Sequence, residues 1–256
     1  MKARLSLYPD ILFHFTTKES LWGILSQTFS VSYSREKIVG GKRSTEFYAP
    51  MVSFCDLKVS ELKDHMKKYG NYGIGLTKNW ANKKGLNPVF YVNKHSPFTS
   101  NFIRAVEDLK KHIEHVPGIL GRAMAEGTYD NILTTYSYIK NYEGDLERRN
   151  GTKTRNYRFA DEREWRFIPP IDSEIPPFLT PNKIRTDEDK EHYNNLASAI
   201  KLRFAPEDIK YLIIETDEEI MELIHHLDDA KMHFPDETKR RLMSRILTAE
   251  QINKDI

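Results

Sequence analysis

Alternating and helical patterns of apolar residues follow one another along the chain without a repeat. Ile11-Leu12-Phe13-His14-Phe15-Thr16 reads as a strand, with Ile11, Phe13 and Phe15 on one face and Leu12, His14 and Thr16 on the other. Thr17 is placed to cap a helix over Lys18–Gln27, whose apolar stripe is Leu21, Ile24 and Leu25. Phe29–Tyr33 reads as a short extended piece, polar Ser34–Thr45 with its Gly40-Gly41 pair as an exposed loop, and Phe47–Cys55 as a second strand. A helix is expected over Ser60–Tyr69, with Gly70 as its stop. Tyr72–Leu76 and Pro88–Val92 are then strands around a short helix, Lys78–Lys83. Asn101–His115 predicts a longer helix with Phe102, Val106, Leu109 and Ile113 in its stripe, ended by Pro117-Gly118. The Tyr and Thr content of Asn131–Asn141 favours a strand, and Glu143–Arg158 reads as a polar loop.

Beyond residue 170 the pattern predicts a helix over Glu188–Ile200, strands at Leu202–Phe204 and Tyr211–Glu215, and a helix over Glu218–Leu227 capped by Thr216. A basic helical tail follows from Pro235. Strands and helices interleave, so the expected class is α+β. No linker interrupts the chain, and a single domain over 1–256 with a helical C-terminal extension is the simplest organisation.

The most informative run is Asp161-Glu162-Arg163-Glu164-Trp165-Arg166-Phe167-Ile168-Pro169. As a strand it turns Arg163, Trp165 and Phe167 one way and Glu162, Glu164 and Arg166 the other. Two carboxylates then stand about 7 Å apart on one face, two residues of strand rise. Surface strands whose charges pair among themselves or with water give the same pattern. The aromatic residues on the opposite face argue for a rigidly held site.

Composition narrows the classes. Of 256 residues, 39% are hydrophobic and 30% charged, which describes a folded domain and not a disordered chain. The formal net charge of +2 gives no global bias toward nucleic acid. Cys55 is the sole cysteine, so no internal disulfide can form. The first residues lack the apolar core of a signal peptide, and no window approaches the length of a membrane span. A cytoplasmic protein without membrane contact is expected.

Several further residues could carry chemistry. His14 has Thr16 beside it on the second face of its strand, and Ser53 is a small hydroxyl on the central strand. Tyr33 could stack on a base or a nicotinamide ring. Each of these equally suits structural packing. Arg148, Arg149, Lys153, Arg155 and Arg158 crowd the segment before Glu162, where cations could hold phosphates. Tyr69–Gly75 is glycine-bearing but runs from helix to strand, the wrong order for a dinucleotide loop. His112 with His115, and His225 with His226, lack a third ligand, so no metal site is expected.

Pro50-Met51-Val52-Ser53-Phe54-Cys55-Asp56, followed by Tyr69-Gly70-Asn71-Tyr72-Gly73-Ile74-Gly75-Leu76-Thr77-Lys78-Asn79-Trp80, resembles the AbiGi family of abortive phage-resistance proteins. Asn87–Tyr91, Glu162–Pro169 and Ile246–Ile252 extend the likeness over nearly the whole chain. The resemblance implies a part in halting phage infection, as an antitoxin paired with a nucleotidyltransferase-like toxin.

A more distant resemblance is to ADP-ribosyltransferases. His14-Phe15-Thr16 followed by Leu21 and Ile24-Leu25 is similar to the opening of the DarT and tRNA 2′-phosphotransferase groups. Glu164 falls where arginine-modifying members keep their catalytic glutamate, Glu162 where they keep the one two residues earlier, and Ser53 where they keep a strand serine. His14 stands where those members carry Arg, and the distance from Ser53 to Glu164 is long, so a helical insertion is needed. This likeness implies a split mixed sheet flanked by helices, and an NAD-dependent ADP-ribosyltransferase acting as a toxin or effector. Glu164 would then steady the charged ribose, and Glu162 would orient an acceptor, nucleic acid being one candidate. His14, Thr16, Ser53 and Tyr33 would hold NAD, and the basic segment would hold the substrate. The competing expectation is a catalytically degenerate module that neutralises a partner toxin.

Overall fold

The strand Arg43–Cys55 organises the molecule. Phe47, Ala49, Met51, Ser53 and Cys55 share one face by alternation, and Tyr48, Val52 and Phe54 the other. Around this strand the computed structural model, which describes residues 9–147 and 153–255, builds a mixed sheet of eight strands. In spatial order these are Ile246–Thr248, Ile209–Ile214, Tyr72–Thr77, Ile11–Thr16, Arg43–Cys55, Glu164–Phe167 and Asn87–Pro88. The eighth, Ser32–Gly40, pairs with Arg43–Met51. Neighbours run antiparallel except Ile246–Thr248, which lies parallel to Ile209–Ile214.

Both faces of the sheet are covered. One carries the main core, in which Leu12, Val52, Phe54, Ile74 and Leu212 meet Leu21, Trp80 and Leu223 from flanking helices. The other carries two smaller clusters. Ile38, Phe47, Ala49 and Met51 pack with Ile103 and Tyr136, while Phe13, Cys55 and Ile213 pack with Leu62, Met66 and Ile252. Ser53 falls between those clusters on the central strand, as the one polar residue on that face from Phe47 to Cys55.

Four expectations need correction. Ser34–Thr45 is no loop: most of it is ladder, a long hairpin turning at Gly41, whose φ of +63° suits a residue without Cβ. Asn131–Asn141 is mostly helix, because the helix Ile119–Tyr136 runs through it and only Ile139–Asn141 is strand. The polar segment before Arg158 folds into a two-stranded hairpin, Gly144–Glu147 against Lys153–Tyr157. The tail is no appendage either. After the helix Asp236–Met243 it adds Ile246–Thr248 to the main sheet and buries Leu242, Ala249 and Ile252. Parallel pairing between distant segments leaves no local signature, so a three-residue strand inside a basic tail is invisible to periodicity.

Candidate functional site

The first and central strands meet at a single register, Phe13 opposite Cys55, and then diverge. Divergence leaves the Ser53 carbonyl without a ladder partner on that side. The His14 imidazole fills the gap, its Nδ1 lying 2.8 Å from that oxygen. A carbonyl can only accept, so Nδ1 carries the proton and Nε2 is left with a lone pair. Burial lowers the His14 pKa against the opposing pull of this hydrogen bond, which keeps the ring neutral at pH 7.

The opened ladder leaves a cavity of about 210 Å3, lined by His14, Ser34, Glu36, Ser53, His65, Tyr69, Lys140, Glu162 and Glu164, with Phe13, Phe15, Met51, Phe54 and Cys55 as apolar wall. Glu164 is its anchor. One carboxylate oxygen accepts from Ser53 Oγ at 2.8 Å and Arg166 Nε at 2.7 Å, and the other from Lys140 Nζ at 2.8 Å and Arg166 Nη2 at 3.1 Å. Its backbone N–H donates to the Tyr91 hydroxyl at 2.9 Å. Burial alone would raise the Glu164 pKa, but the guanidinium and ammonium beside it outweigh burial and hold it well below the usual carboxylate range. Arg166 is fully buried and spans Glu164 and Glu36, the latter at 2.8 Å. Glu36 feels burial most strongly, and its pKa is raised despite the cations nearby.

Glu162 reaches the cavity by another route than expected. It ends a short 3-10 turn, Phe159–Glu162, and the strand begins only at Glu164. Arg163 between them takes the left-handed conformation, φ +46°, and its guanidinium pairs with Glu61 at 3.0 Å. Glu162 accepts from the hydroxyls of Tyr69 and Tyr157 and lies 3.5 Å from Lys140 Nζ. Both carboxylates therefore share one ammonium, although only one of them sits on the strand.

His14, Ser53, Glu162 and Glu164 thus line one cavity. Thr16 and Tyr33 do not. Thr16 continues the closed ladder opposite Tyr72, beyond the divergence. Tyr33 lies on the opposite face of its strand from Ser34 and Glu36, is buried in the main core and donates its hydroxyl to the Pro176 carbonyl at 2.5 Å. Strand alternation therefore removes it from any stacking role. Of the basic residues, Arg148 and Arg149 lie outside the described residues. Lys153 and Arg155 are exposed on the hairpin, and Arg158 sits over the Tyr142 ring at 5.8 Å. None of these three lines the cavity, and the contact from this hairpin is Tyr157, whose hydroxyl donates to Glu162 at 2.9 Å.

Sequence reading missed Glu36, Lys140 and His65, and undervalued Arg166 and Tyr69. Glu36 hid in the segment read as a loop, and Lys140 behind the misjudged Asn131–Asn141. His65 on the helix Leu62–Tyr69 packs against Tyr69 with ring centroids 4.5 Å apart, and burial depresses its pKa to about 4. Among the described residues no three His, Cys, Asp or Glu side chains form a group that could hold a metal ion. No described helix is long and apolar enough to cross a membrane.

A family model described as abortive phage resistance protein AbiGi, antitoxin, matches residues 27–215. The abortive phage resistance protein AbiGi of Lactococcus lactis subsp. cremoris is 28% identical over 228 residues, covering 82% of this chain and 90% of that relative. No solved structure matches the chain. The expected ADP-ribosyltransferase likeness draws no support from these comparisons.

Proposed function

The chain belongs to the AbiGi family of abortive phage-resistance proteins, and from that premise we propose that it is the antitoxin half of a toxin–antitoxin pair, restraining a cognate toxin by contact. The observation that carries the reading is the saturation of Glu164. Four hydrogen bonds from Ser53, Lys140 and Arg166 occupy its carboxylate, so it has little capacity left to receive a proton or steady a developing cation. The cluster holds strands in register, which is what a binding scaffold requires. The helix Ile119–Tyr136 offers a surface for such contact, with Ile119 and Met124 exposed to 93% and 68%.

The test is expression in bacteria. The cognate toxin alone should arrest growth. Adding this chain should restore growth, and the two proteins should purify together. Ile119→Glu with Met124→Glu should abolish rescue while leaving the circular dichroism spectrum unchanged. Growth arrest by this chain alone would refute the antitoxin role.

A second reading, an NAD-dependent ADP-ribosyltransferase, is favoured by the common cavity of His14, Ser53, Glu162 and Glu164. It requires nicotinamide release from NAD by the purified protein and loss of that release in Glu164→Gln. An inert wild-type protein, assayed with cell extract as acceptor source, removes it.

A further inference from the structure

The cavity lining carries an unbalanced charge. Counted as carboxylates, Glu36, Glu162 and Glu164 face Lys140, with Arg166 behind them, and leave one net negative charge in a largely buried cluster. Burial raises the Glu36 pKa, so a cation beside it would relieve the charge that is held at most cost. The imidazoles do not correct it, since burial keeps both His14 and His65 neutral at pH 7. The Cys55 thiol does not add to it, because burial and the nearby carboxylates push its pKa far up. Lys68, on the same helix as His65, is engaged with Tyr157, 3.1 Å from its hydroxyl and 4.4 Å over its ring.

The imbalance has a location. Glu164 is saturated, and Glu162 holds two tyrosine hydroxyls and a share of Lys140. Glu36 is different: one of its oxygens takes Arg166, and among the described residues that is its one hydrogen-bond donor. Its side chain is 12% exposed, and it lines the cavity. His14 adds a second acceptor through Nε2. The walls include the aromatic rings of Phe13, Phe15, Phe54 and Tyr69. A space lined by spare acceptors, net negative charge and aromatic rings favours a cation with N–H donors and disfavours an anion. At about 210 Å3 it has room for roughly seven waters' worth of liquid.

We propose that this cavity is a binding site for a small alkylammonium ion, with Glu36 as its charge partner. The site does not depend on the antitoxin role, and it is tested on the chain alone. Met51 lines the cavity, so its methyl resonance in a methyl-labelled sample is a local probe, assigned by Met51→Leu. Titration with n-butylammonium should shift that resonance saturably at pH 7.5. The isosteric n-butanol and the anion butyrate should shift it little at the same concentration. Glu36→Gln keeps the acceptor for Arg166 and removes the charge, and it should weaken butylammonium binding by at least about tenfold. Ser34→Phe fills the cavity and leaves every charge in place, and it should abolish the shift. Should Glu36→Gln fail to fold, Ser34→Phe decides alone. Equal shifts from butanol, a stronger response to butyrate, or an undiminished butylammonium shift in the folded variants would each overturn the proposal.

Discussion

Two charge clusters in this protein use the same chemistry in opposite surroundings. In the cavity, Arg166 and Lys140 meet Glu36, Glu162 and Glu164, with Arg166 0% and Glu164 8% exposed. At the surface, Lys18 meets Glu219 at 2.9 Å and Glu222 at 2.7 Å, with Lys18 30% and Glu222 52% exposed. The distances are alike, so geometry does not separate the clusters. Solvation does. Water around Lys18 screens the attraction and replaces a lost partner. Around Arg166 nothing replaces a lost partner, and an uncompensated charge would stay buried. The first cluster therefore constrains the fold, and the second decorates it.

The sharpest way to break this contrast is to remove Arg166. Arg166→Ala leaves Glu36 and Glu164 short of a cation inside the fold, and it should cost about 3–5 kcal/mol in chemical denaturation. A loss under 1 kcal/mol would mean that water enters the cluster freely. Glu164→Gln should rank next, at about 1–3 kcal/mol, because the amide keeps some hydrogen bonds and drops the charge. Acid titration sharpens the comparison further. His65 titrates near pH 4 in the fold against an ordinary value of 6.5. Its folded pKa is the lower one, so between those limits the unfolded chain binds the extra proton. Stability should therefore fall as pH drops from 6.5 toward 4, by on the order of 2 kcal/mol. His65→Gln should flatten that part of the stability–pH curve, and an unchanged slope would mean that the ring is solvated. The smallest effect belongs to the surface. Lys18→Ala should leave the thermal midpoint near wild type, and added salt should shrink the difference further.

The same contrast explains which site residues were legible. Glu164, His14 and Ser53 stood out because alternation on strands assigns side chains to faces from the chain alone, whereas Glu162, read on the same alternation, reaches the cavity from a 3-10 turn. Tyr33 failed for a related reason: it reads in the sequence as the end of a short extended piece, whereas it belongs to the strand Ser32–Gly40 and turns to the main core. Glu36 was lost when a polar stretch, Ser34–Thr45, was taken for a loop. Its charges are tolerated on a ladder because Arg35 pairs with Glu46 outside at 2.7 Å and Glu36 with Arg166 inside. Lys140 could not have been foreseen. It reaches Glu164 from a three-residue strand that follows a helix, held by parallel pairing with Phe90–Val92.

Local chemistry in the sequence was enough to assign the α+β class, the capped helix Lys18–Gln27, the helix stop at Gly70 and the two faces of the strand Ile11–Thr16. These depend on neighbours two to four positions away, whose geometry the backbone dictates. Tertiary structure alone decided that Glu164 would be saturated, that the basic tail would supply a sheet strand, and that Glu36, among the described residues, would take one donor on one oxygen. Each of those outcomes depends on side chains brought together from distant segments. In a buried cluster the balance of desolvation against pairing is set by the complete set of neighbours, which no stretch of sequence contains.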